Sequence, residues 1–258
     1  GKEFPMGGMN EKGLVVELMW LDETKYPEKD SRPALGVLQW IQYQLDNFTS
    51  VVEVVDSDKN VRIESSTPLH YLVADAEGNV ATIEFLNGQL TVHEGKDLSF
   101  PVLTNSVYSE SATIARKISN DGSQLNGLDN SLERFAKACS MIQSFNKATD
   151  VNALDYSFSI LKNVAQGNYT KWSIVYDITG KNIHFITNSN SSRRSVSISD
   201  FDFLCTNDPK GLAFHLEGLG NGEIAAEFKK LTIEINKKLV ETSAHESASI
   251  LEFPPSAV

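Results

Sequence analysis

Residues 69–94, LHYLVADAEGNVATIEFLNGQLTVHE, hold three apolar segments separated by AEGN (76–79) and by Asn87-Gly88. An Asn-Gly pair tolerates the positive φ that a two-residue hairpin turn demands, so three strands in an antiparallel meander are predicted. Upstream, RPALGVLQWIQYQLDNF (32–48) spaces Leu35, Leu38, Ile41, Leu45 and Phe48 by 3, 3, 4 and 3 residues. That period predicts an amphipathic helix with Pro33 in its first turn and Ser31 or Asp30 as cap. A short second helix is expected over SVVEVVDS (50–57). Before these, LVVELMW (14–20) is a near-continuous apolar run, read as a strand buried on both faces and fed by a tight turn among Gly7, Gly8 and Gly13.

The same order of elements recurs downstream. DNSLERFAKACSMIQSF (129–145) sets Leu132, Phe135, Cys139, Ile142 and Phe145 at helical spacing, with Asn130 and Glu133 in the relation of a capping box. DVNALDYSFSILKNVA (150–165) adds a helix. KWSIVYDITGKNIHFITN (171–188) reads as two strands around a turn at Thr179-Gly180, and RRSVSISDFDFL (193–204) as a third. A long, charged, peripheral helix is expected over 221–245. Helix pairs followed by meanders predict an α+β fold, two stacked antiparallel sheets flanked by helices in an αββα sandwich, with residues 1–258 as one domain.

Composition narrows the function. The 258 residues carry 34 acidic against 23 basic side chains, a net charge of -11, without the basic stripe that nucleic-acid binding needs. No apolar run reaches the length of a membrane span. His70, His93, His184, His215 and His245 are scattered, without an HExxH or Cys/His cluster, so neither a metal nor a cofactor is expected. Cys139 and Cys205 could pair or stay free. No GxSxG elbow, P-loop or GxGxxG is present.

Three positions stand out locally. Trp20 closes the first strand, where an indole ordinarily packs into the core. Asn105, in PVLTNS, is ordinarily a turn residue. Arg134 sits in the first turn of its helix, where a cation opposes the helix dipole at a cost of a few tenths of a kcal/mol.

In combination, GGMNEKGLVVELMW (7–20), PLHYLVADAEGNVATIEF (68–85) with LTVHE (90–94), PVLTNS (101–106) and NSLERFAKA (130–138) resemble the choloylglycine hydrolase and penicillin V acylase family of N-terminal-nucleophile hydrolases. The resemblance runs from Gly1 to about Val196 and implies hydrolysis of a non-peptide amide bond in an N-acylated substrate. Conjugated bile acids, penicillin V and acyl-homoserine lactones are substrates of that kind. The family's nucleophile is a processed N-terminal cysteine whose α-amine relays the proton. Neither Cys139 nor Cys205 matches it, so the resemblance implies that the nucleophile precedes Gly1, on the same chain or on a separate fragment. The opening residues, neither frayed nor polar, also lead us to expect an upstream segment.

Carried over residue by residue, the resemblance assigns the Trp20 N–H and the Asn105 side-chain amide to an oxyanion hole and Arg134 to the support of the nucleophile region. Trp20 would also line the acyl pocket. Bile salt hydrolases tend to carry Asn where Trp20 stands. They also insert a long, tetramer-assembling loop where in this chain Asn105 and Arg134 are only 29 positions apart. Both departures, with the extended C-terminal helix, make the chain look like the Gram-negative penicillin V acylase branch, which prefers aromatic or fatty acyl groups. That branch implies a periplasmic or secreted homo-oligomer acting on small acyl amides. The alternative is an inactive relative that binds acylated small molecules.

Overall fold

The computed structural model describes residues 4–121, 129–146, 152–204, 206–213 and 220–251. The meander forms as the sequence dictates: β3 (Leu69–Ala74), β4 (Val80–Leu86) and β5 (Gln89–Glu94) pair antiparallel. Asn87 and Gly88 both take positive φ, 54° and 79°, a pair of conformations that asparagine and glycine adopt with little strain. β1 (Gly7–Met9) and β2 (Val15–Trp20) extend the sheet in the order β1-β2-β3-β4-β5.

Strand alternation gives this sheet two different faces. Val16, Tyr71, Val73, Ala81, Ile83 and Phe85 are buried against α1 (Val37–Asn47) and α2 (Val51–Asp56), with Trp40 and Tyr71 rings 4.4 Å apart. α2 is capped by Ser50 with Glu53 in a capping box. α1 begins later than its apolar period predicts. Ala34–Leu35 instead pair in parallel with Arg62–Ile63, and Gly36 is the N-cap, its N–H donating to Gln39 Oε1 at 3.1 Å. The Arg62 and Glu64 N–H groups donate to the Pro33 and Leu35 carbonyls, bonds that a helix starting at Pro33 would forfeit. Asp30 accepts from Arg32 rather than capping the helix.

The second sheet holds β6 (Trp172–Asp177), β7 (Asn182–Thr187) and β8 (Arg194–Ser197), antiparallel, with β9 (Gly222–Glu223) parallel to β8. Met9, Val15 and Ile198 join Ala74, Tyr176, Ile178 and Ile183 in an apolar layer between the sheets. At the other end of the same face of the first sheet, Met19 and Leu72 pack on α3 (Tyr108–Asp121) and α4 (Asn130–Ser144). α3 escapes the apolar count because its buried face is built from Tyr108, Ser111, Ala112 and Ala115. α5 (Ala153–Asn163) leads into β6. The C-terminal helix α6 spans Ile233–Leu251, so the expectation of a helix from 221 is corrected. Residues 222–223 and 229–230 hydrogen-bond as short strands, to β8 and to residues 210–211.

A polar bridge crosses between the sheets. Tyr176 O–H donates to Glu17 Oε1 at 2.5 Å, and a Cβ at Gly7 would come within 2.5 Å of that carboxylate. Burial pushes the Glu17 pKa from 4.5 up to about 7, against the opposing effect of the Tyr176 bond. An acid raised in this way keeps its proton in the fold after the unfolded chain has lost it. Its contribution is therefore full below pH 4.5, declines as pH rises, and is lost above about 7. Glu17→Gln keeps an acceptor for Tyr176 without the charge. Urea unfolding at pH 5 and pH 8 should show the variant gaining on the order of 2 kcal/mol over wild type at the higher pH, and little at the lower.

Candidate active site

Three elements converge where β2 ends. Leu21 N–H donates to the Pro68 carbonyl at 3.1 Å. Successive residues of an antiparallel ladder face opposite sides, so the Trp20 N–H and C=O point away from β3. The loop 104–107 meets Trp20 there: Asn105 Nδ2 donates to the Trp20 carbonyl at 2.9 Å. From the start of α4, Arg134 Nη2 donates to Asn105 Oδ1 at 2.8 Å and its Nε to Asn130 Oδ1 at 2.9 Å. Trp20, Asn105 and Arg134, separated by 85 and 29 positions in sequence, thus form one contiguous cluster.

The orientation of the Asn105 amide is determined by its partners. A guanidinium only donates and a carbonyl only accepts, so Oδ1 faces Arg134 and Nδ2 faces Trp20. Nδ2 carries two hydrogens, and the Trp20 carbonyl uses one. The second has no partner among the described residues. Desolvation holds the Arg134 pKa below the usual arginine value, with the Asp129 charge acting in the opposite sense. The guanidinium stays protonated at any physiological pH.

Trp20 is not a core residue. It is 39 % exposed, and its indole N–H donates to Asp22 Oδ1 at 2.6 Å, leaving ring surface open beside the cluster. Asn10 stays structural: its Oδ1 accepts the Lys12 and Leu14 N–H groups, and its Nδ2 donates to the Leu45 and Phe48 carbonyls.

The α4 cap is displaced by one residue from its predicted place. Asp129 accepts the Leu132 N–H at 2.9 Å, while Asn130 is already helical and holds Arg134. Asp129→Ala should destabilise the protein by about 1 kcal/mol in a thermal or urea melt, the usual loss for an N-cap carboxylate.

Sequence spacing gave no sign of Ser131. Its Oγ accepts the Asn105 N–H and the Ser106 hydroxyl, both at 2.8 Å, and donates to Thr104 Oγ1 at 3.0 Å. It lies within the NSLERF segment, one residue after Asn130, and pins the loop to α4. His70 and Glu84 are wholly buried behind the same loop. Their signal in the sequence is one ionisable residue in each of two otherwise uncharged strands, β3 and β4. Cys139 is buried and free, and burial pushes its thiol up to about 12, far from a nucleophile's range. Cys205 and His215 lie outside the described residues. Among the described residues no group of His, Cys, Asp and Glu could hold a metal ion, and no helix is long and apolar enough to cross a membrane. A cavity of about 410 Å³ lies elsewhere, between α5 and the β6–β7 edge, lined by Phe158, Trp172 and Ile186 among others.

The candidate site is thus a side-chain amide clamped at a strand end of a two-sheet α+β fold. Residues 3–113 match the family model of linear amide C–N hydrolases, choloylglycine hydrolase family. Penicillin V acylase of Pectobacterium atrosepticum is 31% identical over 155 residues, 54% of this chain and 41% of that protein. The chain therefore spans about two fifths of the length of this curated relative. The solved penicillin V acylase of Agrobacterium tumefaciens superposes with a TM-score of 0.77 at 27% identity, over 89% of this chain and 78% of that one. A point mutant of the conjugated bile acid hydrolase of Clostridium perfringens shares the fold, with a TM-score of 0.62 at 18% identity over 77% and 74% of the two chains. The match to the choloylglycine hydrolase family thus lies in residues 3–113, and the proteins this chain resembles include penicillin V acylases of Gram-negative bacteria.

Proposed function

We propose that residues 1–258 form the oxyanion-binding part of an amidase that cleaves a non-peptide C–N bond in an N-acylated small molecule. The attacking thiolate is that of an N-terminal cysteine in the part of the protein outside these residues, and the complete domain has the αββα layering. Attack on the acyl carbonyl places negative charge on its oxygen. Hydrogen bonds from the Trp20 N–H and the free N–H of Asn105 Nδ2 to that oxygen stabilise the charge most where it is fully developed. Arg134 keeps Asn105 in the donating orientation and lends positive potential to the thiolate side. The cysteine's own α-amine protonates the leaving nitrogen, the acyl-enzyme forms, and water releases the acid.

The observation that supports this reading best is the Asn105 amide held between Arg134 and the Trp20 carbonyl, with one N–H unspent. The exposed Trp20 face favours aromatic or fatty acyl groups, because an indole offers a broad apolar surface. The complete protein, assayed against phenoxyacetyl, fatty-acyl and bile-acid amides, should show its highest kcat/KM on the first two classes. Failure to hydrolyse any of them contradicts the proposal and turns attention to binding without catalysis.

A further inference from the structure

His70 and Glu84 face each other across β3 and β4, both without solvent exposure, on the face of the sheet opposite the main apolar core. Nonpolar packing would be the ordinary occupant of such positions, and burying two ionisable groups is costly unless both are bonded. Their bonds lead to one place. His70 Nε2 is 2.7 Å from the Thr104 carbonyl, and since a carbonyl only accepts, Nε2 carries the hydrogen. Glu84 Oε1 accepts the Tyr108 N–H at 3.0 Å and is 3.1 Å from His70 Nδ1. Glu84 Oε2 has no hydrogen-bond partner, with His93 Nε2 lying 3.9 Å away. The pair thus grips the residue before Asn105 and the residue three after it. β3 also pairs with the end of β2, Met19 opposite His70 and Trp20 opposite Leu69.

We infer that His70 and Glu84 are positioning residues for the oxyanion site, holding the 104–108 loop so that Asn105 Nδ2 meets the main chain at Trp20. The inference rests on the amidase reading above. His70 touches neither substrate nor nucleophile and acts through the Thr104 carbonyl. Displacing a donor by about 1 Å costs on the order of 100-fold in rate, so the pair carries weight without contacting the reaction.

The test compares His70→Leu and His70→Gln in the complete protein, with and without Asn105→Ala. His70→Leu should lower kcat about 30- to 100-fold with KM changed less than threefold. His70→Gln, whose Nε2 can reach the same carbonyl, should recover most of the loss and serves if the leucine variant fails to fold. In the Asn105→Ala background the His70 substitutions should cost less than threefold, because the donor they position is gone. Multiplicative losses in the double variants overturn the inference while leaving the amidase reading intact. Hydrogen exchange at the Asn105 and Tyr108 amides provides a readout independent of turnover. Faster exchange in His70→Leu, restored in His70→Gln, supports the positioning role; unchanged exchange overturns it even if the wild type hydrolyses no amide.

Discussion

Asn105→Ala in the complete protein lowers kcat for amide hydrolysis about 100- to 1000-fold, the loss typical of removing one oxyanion donor. KM moves little, because the lost hydrogen bond is strongest where charge has built up on the oxygen. Folding survives. The Asn105 N–H still reaches Ser131 Oγ, and the two side-chain bonds that disappear, to the Trp20 carbonyl and from Arg134, are each worth about 1 kcal/mol net. Steady-state kinetics beside a thermal melt separate the two effects. A variant with full activity would remove Asn105 from the reaction.

Arg134→Met carries the second large effect. The methionine covers the apolar surface along the arginine stem but removes the donor to Asn105 Oδ1. The amide then loses one of the two bonds that fix it, and only the Trp20 carbonyl still holds Nδ2 in place. Loss of the half-buried cation also raises the thiolate's pKa if Arg134 faces it, as proposed. A fall in kcat of roughly 30- to 100-fold is expected, by the same positional argument. Arg134→Lys should recover only part of it, since a single ammonium does not reproduce the forked geometry that serves both Asn130 and Asn105. An activity loss confined to KM would contradict this role.

The fold was legible wherever short-range chemistry decides structure. The three apolar segments of 69–94 and the Asn87-Gly88 turn specify the meander. Reading failed where a distant segment competes for the backbone. Residues 34–35 leave the predicted helix to pair with 62–63, and 222–223 leave the predicted C-terminal helix to pair with β8. α3 was missed because alanine and serine form its buried face, so no apolar period marks it. The cluster of Trp20, Asn105 and Arg134 could not be read from spacing at all. Each residue has an ordinary local explanation, and only the resemblance to a family named them together. Ser131, His70 and Glu84 required the fold, because hydrogen bonds over 14 to 34 positions leave no periodic trace in sequence.

The central claim is that these residues receive an oxyanion produced by a cysteine outside residues 1–258. The most direct measurement is intact mass and peptide mapping of the complete protein, acid-quenched during turnover of a phenoxyacetyl amide. The predicted result is one acyl adduct on an N-terminal cysteine, accumulating far more slowly in Asn105→Ala. An adduct on Cys139 or Cys205, or hydrolysis without a covalent intermediate, would contradict the account.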